Sequence, residues 1–177
     1  MRRDVKRGYT MEIIKNIHKR RSIRQFNNNQ ISENDINTIL SAGMTAPSAM
    51  NKQPWRFILI TDEKIKQEVV KISKYAQMTL QSPFSVLVCG DTDASYLDYW
   101  KIDCSACIQN MLLASCALNI GSVWTGISGD EMINDYKKLF NLPENIIPHS
   151  LIVFGYSNVP FEERNYFDIT KVHNNKW

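Results

Sequence analysis

The sequence predicts one domain in which helices and short strands interleave. Three observations carry this expectation. Five stretches repeat apolar residues at helical spacing, three short apolar runs sit between breakers, and 44% of the 177 residues are hydrophobic against 22% charged. That composition and length suit a chain that buries a core, not a disordered one.

The elements follow in order. Thr10 can cap a first helix that carries Ile13, Ile14 and Ile17 on one side. In "ISENDINTILSAGM", Ser32 is the expected N-cap with Asp35 at the capping-box position, and Ile31 can staple to Ile36. Ile36, Ile39, Leu40 and Met44 then recur at helical spacing, before Pro47 and Ser48 break the helix. "RFILI" (56–60) reads as a buried strand. Asp62 can cap a helix with Ile65, Val69 and Ile72, and "FSVLVCG" (84–90) is a second strand. From Leu97 to Leu118 the pattern is apolar on more than one face, which predicts a central buried helix with Gly121 near its end. Asp130 can cap a helix running to Phe140, and "SLIVFGY" (150–156) is the third strand. Three strands make a thin sheet, so a fourth is hidden, for instance in the last twenty-one residues, or another copy completes the sheet.

Charge is unevenly spread. The chain nets +3, yet residues 1–24 hold nine Lys/Arg against Asp4 and Glu12, a net of +7. The remainder is net acidic, which argues against a uniformly basic face for nucleic acid. No apolar run is long enough to span a bilayer, and no apolar segment follows the charged start as in a secretory signal, so a cytoplasmic setting is expected. Cys104 and Cys107 form a CxxC inside a helical stretch with no second pair or His cluster nearby, which reads as buried structural thiols and no metal site.

Candidates for chemistry are few. There is no Gly-rich dinucleotide fingerprint, and "GSVWTG" lacks the Lys-Ser/Thr of a phosphate loop. His18, His149 and His173 are scattered. An enzyme built on this chain would leave the hard chemistry to a cofactor. Four segments stand out. "KRRSIRQF" (19–26) sets Arg20, Arg21 and Arg24 around the hydroxyl of Ser22; it suits a phosphate, or is merely a solvated positive helix end. "APSAMNKQPW" offers the amides of Asn51 and Gln53 at a strand entrance, suited to a heteroaromatic edge or to a plain helix-to-strand connection anchored by Trp55. "GSVWTGI" lets backbone N–H groups at Thr125 and Gly126 face a ligand. Arg164 is a late cation in "FEERNYFDI".

Taken together these segments resemble the FMN-dependent nitroreductase family. The matching pieces are Arg-Arg-Ser-x-Arg at 20–24, Pro-Ser-x-x-Asn-x-Gln-Pro-Trp at 47–55, Gly-x-x-Trp-x-Gly at 121–126, Gly155-Tyr156 and Arg164, across residues 11–177. The resemblance implies an α+β nitroreductase fold, with a mixed central sheet wrapped by helices and an intertwined homodimer whose C-terminal extension reaches the partner chain. It implies Arg20, Ser22 and Arg164 on the FMN phosphate with Arg21 close by, and Arg24 near the ribityl chain or the pyrimidine side. It implies Asn51 on the pyrimidine edge with Pro47, Ser48 and Gln53 lining the same pocket. Thr125 and Gly126 would face flavin N5 and O4, with Trp124 beside them.

The implied activity is that of an NAD(P)H-dependent oxidoreductase. A hydride passes to flavin N5, and electrons go on to a nitroaromatic, quinone or activated alkene. No side chain acts as catalyst, no metal is needed, and neither nucleic acid nor membrane is a partner. The prefix 1–10, with Arg2, Arg3, Lys6 and Arg7, precedes the match and has no expected catalytic role. Two other readings are a flavin-binding protein without turnover and a nucleic-acid binder using the basic N-terminus.

Overall fold

The computed structural model describes residues 12–27 and 29–177. The prefix 1–10 and the Thr10 cap lie outside them.

Four strands form one sheet: β1 (Trp55–Ile60), β2 (Phe84–Asp91), β3 (Gly121–Gly126) and β4 (Ile146–Gly155), in the order β1-β2-β4-β3. All three ladders are antiparallel. The mixed character expected of the sheet reduces, among the described residues, to one parallel bridge between Ser22 and Ser122. The strand that the sequence pattern does not give is β3, in the segment "GSVWTG". Residues 157–177 hold only a short 3₁₀ segment, Ile169–Lys171. β2 lies between β1 and β4 and is buried along its whole length, which explains its unbroken apolar run.

Helices cover both faces. Described residues 12–19 form α1; α2 is Glu33–Met44, α3 Glu63–Ile72, α4 Trp100–Ala117 and α5 Asp130–Leu139. On one face, Ile39 of α2 and Ile108 and Met111 of α4 pack with Val86, Val88, Ile152 and Phe154. On the other, Val69 of α3 and Tyr136 of α5 pack with Leu87, Cys89, Leu151 and Val153. Phe84 and Phe154 stack between neighbouring strands with centroids 4.9 Å apart.

The local start signals are mostly as expected. Ser32 Oγ caps α2 by accepting from Asp35 N (3.1 Å), and it donates to Asp35 Oδ2 (2.7 Å), so the Asp35 carboxylate bonds the Ser32 hydroxyl in place of its backbone N–H. Asp62 Oδ1 accepts from Lys64 N and Ile65 N. Two expectations are corrected. Gly129, at φ +82°, is the N-cap of α5, and Asp130 is its first residue. Helix α4 ends through Asn119 in the left-handed conformation (φ 57°), not through Gly121, which opens β3.

Helix α4 is apolar on its buried side and also carries Ile102 at 64% exposure. Cys104 and Cys107 are fully buried and free, and burial pushes the Cys107 thiol up to about 12, so the CxxC is inert packing. No group of His, Cys, Asp or Glu among the described residues could hold a metal ion. No described helix is long and apolar enough to cross a membrane.

Candidate functional site

The basic segment is laid along the β3 edge by its apolar residues. Ile23 N donates to Ser122 O (2.9 Å) and Asn27 N to Tyr156 O (2.8 Å). Ile23 is buried and Phe26 half-buried. Two facing glycines clear the surface beneath them. Gly121 pairs with Gly155 across β3 and β4; a Cβ on Gly155 would stand 2.7 Å from the Phe26 ring, and one on Gly121 would stand 3.0 Å from Ile23 Cγ2. With Ile23 and Phe26 pinned down, Ser22 and Arg24 are left exposed.

Arg20, Arg21, Ser22 and Arg24 line a cavity of about 550 Å³ together with Glu162, Arg164 and Tyr166. Arg164 arrives there because its N–H donates to His18 O at the end of α1 (3.1 Å), and its Nη1 donates to Tyr166 Oη (3.0 Å). Four guanidinium groups thus face one carboxylate. Arg21 donates from Nη1 to Arg20 O, but its Nε and Nη2 are buried without a hydrogen-bond partner among the described residues. Two orphaned donors on one planar guanidinium fit a doubly accepting anion such as a phosphate.

A second cavity, about 520 Å³, is lined by Arg24, Trp124, Thr125 and Gly126, and by Lys74, Tyr75, Gln77 and Met78. Arg24 lines both. Lys74, Tyr75, Gln77 and Met78 belong to a 3₁₀ segment, Lys74–Gln81, that sequence reasoning missed. That stretch has neither a helical nor an alternating period, so only its position in space reveals it. It is tied down by Lys66 of α3, buried, whose Nζ donates to Ser82 O (2.7 Å) and pairs with Glu63 (2.8 Å). Thr125 is committed to Leu151 through its hydroxyl (2.8 Å) and through the β3–β4 ladder, so the backbone that faces the open edge here is that of Trp124 and Gly126. At Gly126 nothing approaches an added Cβ within 4 Å, so this strand end is open.

Trp124 is braced from behind. Its Nε1 donates to Ser150 Oγ (2.7 Å), and its ring meets that of His149 edge-on at 6.4 Å. In the β2–β4 register Val88 pairs with Ser150 and Cys89 with Pro148, so His149 is the extra residue of a bulge. The bulge turns its imidazole toward α4, where Nε2 lies 3.2 Å from Ser105 Oγ and Trp100 packs edge-on. Burial and the Lys101 ammonium push this imidazole below its usual range.

Pro47, Ser48, Asn51 and Gln53 line neither cavity. They precede β1, the edge strand opposite β3, three strand spacings or about 14 Å across the sheet. Asp103, buried in α4, holds their loop by accepting from Ala49 N (3.0 Å). Met50, Asn51 and Gln53 all have positive φ (52°, 53° and 49°), a strained run for non-glycine residues. Ser48 Oγ accepts from Gln53 N and Asn51 Oδ1 from Gln53 Nε2, so Asn51 Nδ2 and Gln53 Oε1 keep free hydrogen-bonding capacity among the described residues. The four residues have exposed or half-exposed side chains.

Comparisons with known proteins agree with this architecture. The model of the nitroreductase family matches residues 17–101 and 67–156. A candidate NADH dehydrogenase/NAD(P)H nitroreductase of Archaeoglobus fulgidus is 37% identical over 175 residues, covering 94% of this chain and 99% of the relative. The crystal structure of a similarly named protein from Parabacteroides distasonis superposes with a TM-score of 0.89 at 32% identity, covering 94% and 99% of the two chains. A candidate nitroreductase of Desulfovibrio desulfuricans, solved in complex with FMN, superposes with a TM-score of 0.81 at 27% identity, covering 93% and 97%. The fold and family inferred from the motifs are borne out, and the expected cofactor and reductant agree with these names. By sequence, fold and motif order, the chain belongs to the nitroreductase family.

Proposed function

We propose that this protein is an FMN-dependent oxidoreductase that takes a hydride from NAD(P)H and passes electrons to an electron-poor acceptor such as a nitroaromatic, quinone or activated alkene. The supporting observation is the pair of adjoining cavities that share Arg24, one lined by four arginines and the other by the aromatic rings of Tyr75 and Trp124, the Gln77 amide and the end of β3, with Lys74 as its second cation. A ligand with a phosphate at one end and a planar ring at the other matches that division.

Arg20, Arg21, Ser22 and Arg164 hold the phosphate, and Arg21 gains partners for its two orphaned donors. Arg24 lies between phosphate and ring, where a cation stabilises negative charge on the reduced ring system. Gly126 meets the ring through its backbone, beside Thr125 and Trp124. When bound, FMN supplies two-electron chemistry that no side chain here offers. The amide loop with Pro47, Ser48, Asn51 and Gln53 stands at the far edge of its own sheet, so in this reading it serves the site of a second copy in a homodimer. Four free buried thiols suit a cytoplasmic setting.

The deciding experiment is release of the flavin by denaturation and its chromatography. FMN is expected, and recovery of FAD, or of no flavin after reconstitution, overturns the reading. The double change Arg20→Ala with Ser22→Ala is expected to release FMN, since each charge-assisted contact contributes about 1.5–3 kcal/mol and the pair about two orders of magnitude or more in affinity.

A further inference from the structure

We infer that Lys74 makes this enzyme selective for acceptors that carry a negative charge on or next to the ring being reduced. The inference rests on the proposed flavin site and names the substrate class of that same cavity. Its lining holds two cations, Arg24 and Lys74, and no carboxylate. If Arg24 is committed to the cofactor, Lys74 is the charge left for a second ligand. It has no salt-bridge partner among the described residues. Its ammonium lies over the Tyr75 ring, 5.2 Å from the centroid, which holds the charge near the cavity without neutralising it. Met78 is buried while Lys74, Tyr75 and Gln77 are exposed, so Met78 forms the floor of the cavity and the lysine its lip.

A cation on the lip serves an anion close to the reacting ring. A carboxylate carried directly by an acceptor ring falls within reach of the side chain. The pyrophosphate of a hydride donor is separated from its nicotinamide by a ribose, so its charge lies further from the reacting ring than a ring carboxylate does. The charge therefore acts on the acceptor half of the reaction. For a nitro acceptor the net step consumes one hydride from NAD(P)H and one proton; the nitro group becomes nitroso and water leaves.

The test compares 4-nitrobenzoate with its methyl ester, which differ in charge. In the flavin-loaded protein, Lys74→Glu should lower the ratio of kcat/KM for the acid over that for the ester about tenfold, mostly through KM. This is the scale of an exposed ion pair turned into a repulsion. Lys74→Arg should keep the ratio, and raising the salt concentration should shrink the effect. Benzoate, which cannot be reduced, should bind Lys74→Glu more weakly by calorimetry. An unaltered ratio and unaltered benzoate affinity overturn the inference while leaving the flavin reading intact. An effect confined to reduction by NADH or NADPH overturns it in favour of a hydride-donor contact. A protein that takes up no flavin overturns both.

Discussion

Arg24 is the residue on which the two cavities turn, and it makes the sharpest single-residue prediction. Arg24→Ala should weaken FMN binding by about 1.5–3 kcal/mol and lower the flavin reduction potential, because a cation that favours the reduced, anionic form is lost. Titration of the apoprotein and redox titration of the loaded one check both; an unchanged potential would place Arg24 elsewhere. His149 makes a second prediction, on stability. Its pKa is lowered in the folded state, first by burial and then by Lys101. The unfolded chain therefore binds the extra proton more readily. Stability is full above the ordinary imidazole value of about 6.5 and is lost as pH falls through the folded value, by at most about 1.4 kcal/mol per pH unit. Thermal denaturation across that window should show the slope, and His149→Gln should flatten it. At this scale the sequence was legible where residue type and chemistry coincide, as in the arginines around Ser22. His149 was not legible, because a bulge is a property of the pairing between β2 and β4 and leaves no mark in "IPHSL".

At the scale of elements, local signals were readable and non-local ones were not. The Ser32 and Asp62 caps lie within three residues of the groups they satisfy. β3 is different: its residues alternate poorly, and it is a strand because β4 pairs with it along six residues. Its terminal glycines weaken the strand pattern further, yet Gly121 is there to admit Ile23, as Gly155 on β4 admits Phe26. This makes the glycine pair part of the site. Gly155→Ala would drive a methyl into the Phe26 ring, at 2.7 Å, and the ring must move. The expected cost is about 1–3 kcal/mol of stability, read as a lower Tm. Because Arg24 is two residues from Phe26, flavin affinity should fall as well. In a Phe26→Ala background, which removes the Cγ and Cδ1 that the methyl would meet, Gly155→Ala should lower the Tm less. If Gly155→Ala alters neither Tm nor affinity, the basic segment is not seated on the sheet as described.

At the scale of the whole molecule, one chain leaves its apolar surface and its candidate site unfinished. Ile13 and Ile17 on α1, Ile102 on α4, and Tyr166, Phe167, Ile169 and Trp177 in the final segment are all at least 45% exposed. These side chains are available to a partner chain. The amide loop and the phosphate cradle sit at opposite sheet edges. A homodimer in which each flavin touches both chains resolves both facts, and the resemblance already implied it; distance across the sheet supplies the physical reason. Scattering should therefore give about twice the chain mass of 20.5 kDa. A stable folded monomer that holds FMN tightly would contradict this. A mixing experiment decides whether the site is shared. One variant carries Arg20→Ala with Ser22→Ala and the other Asn51→Ala with Gln53→Ala, each expected to lose flavin alone. Co-expressed, half the dimers are mixed under random pairing. In a mixed dimer with shared sites, one site collects all four changes and the other none. Flavin content should then recover to roughly a quarter of wild type, two intact halves meeting across the two-fold axis. If each site were built within one chain, every site would keep one defect and no flavin would return.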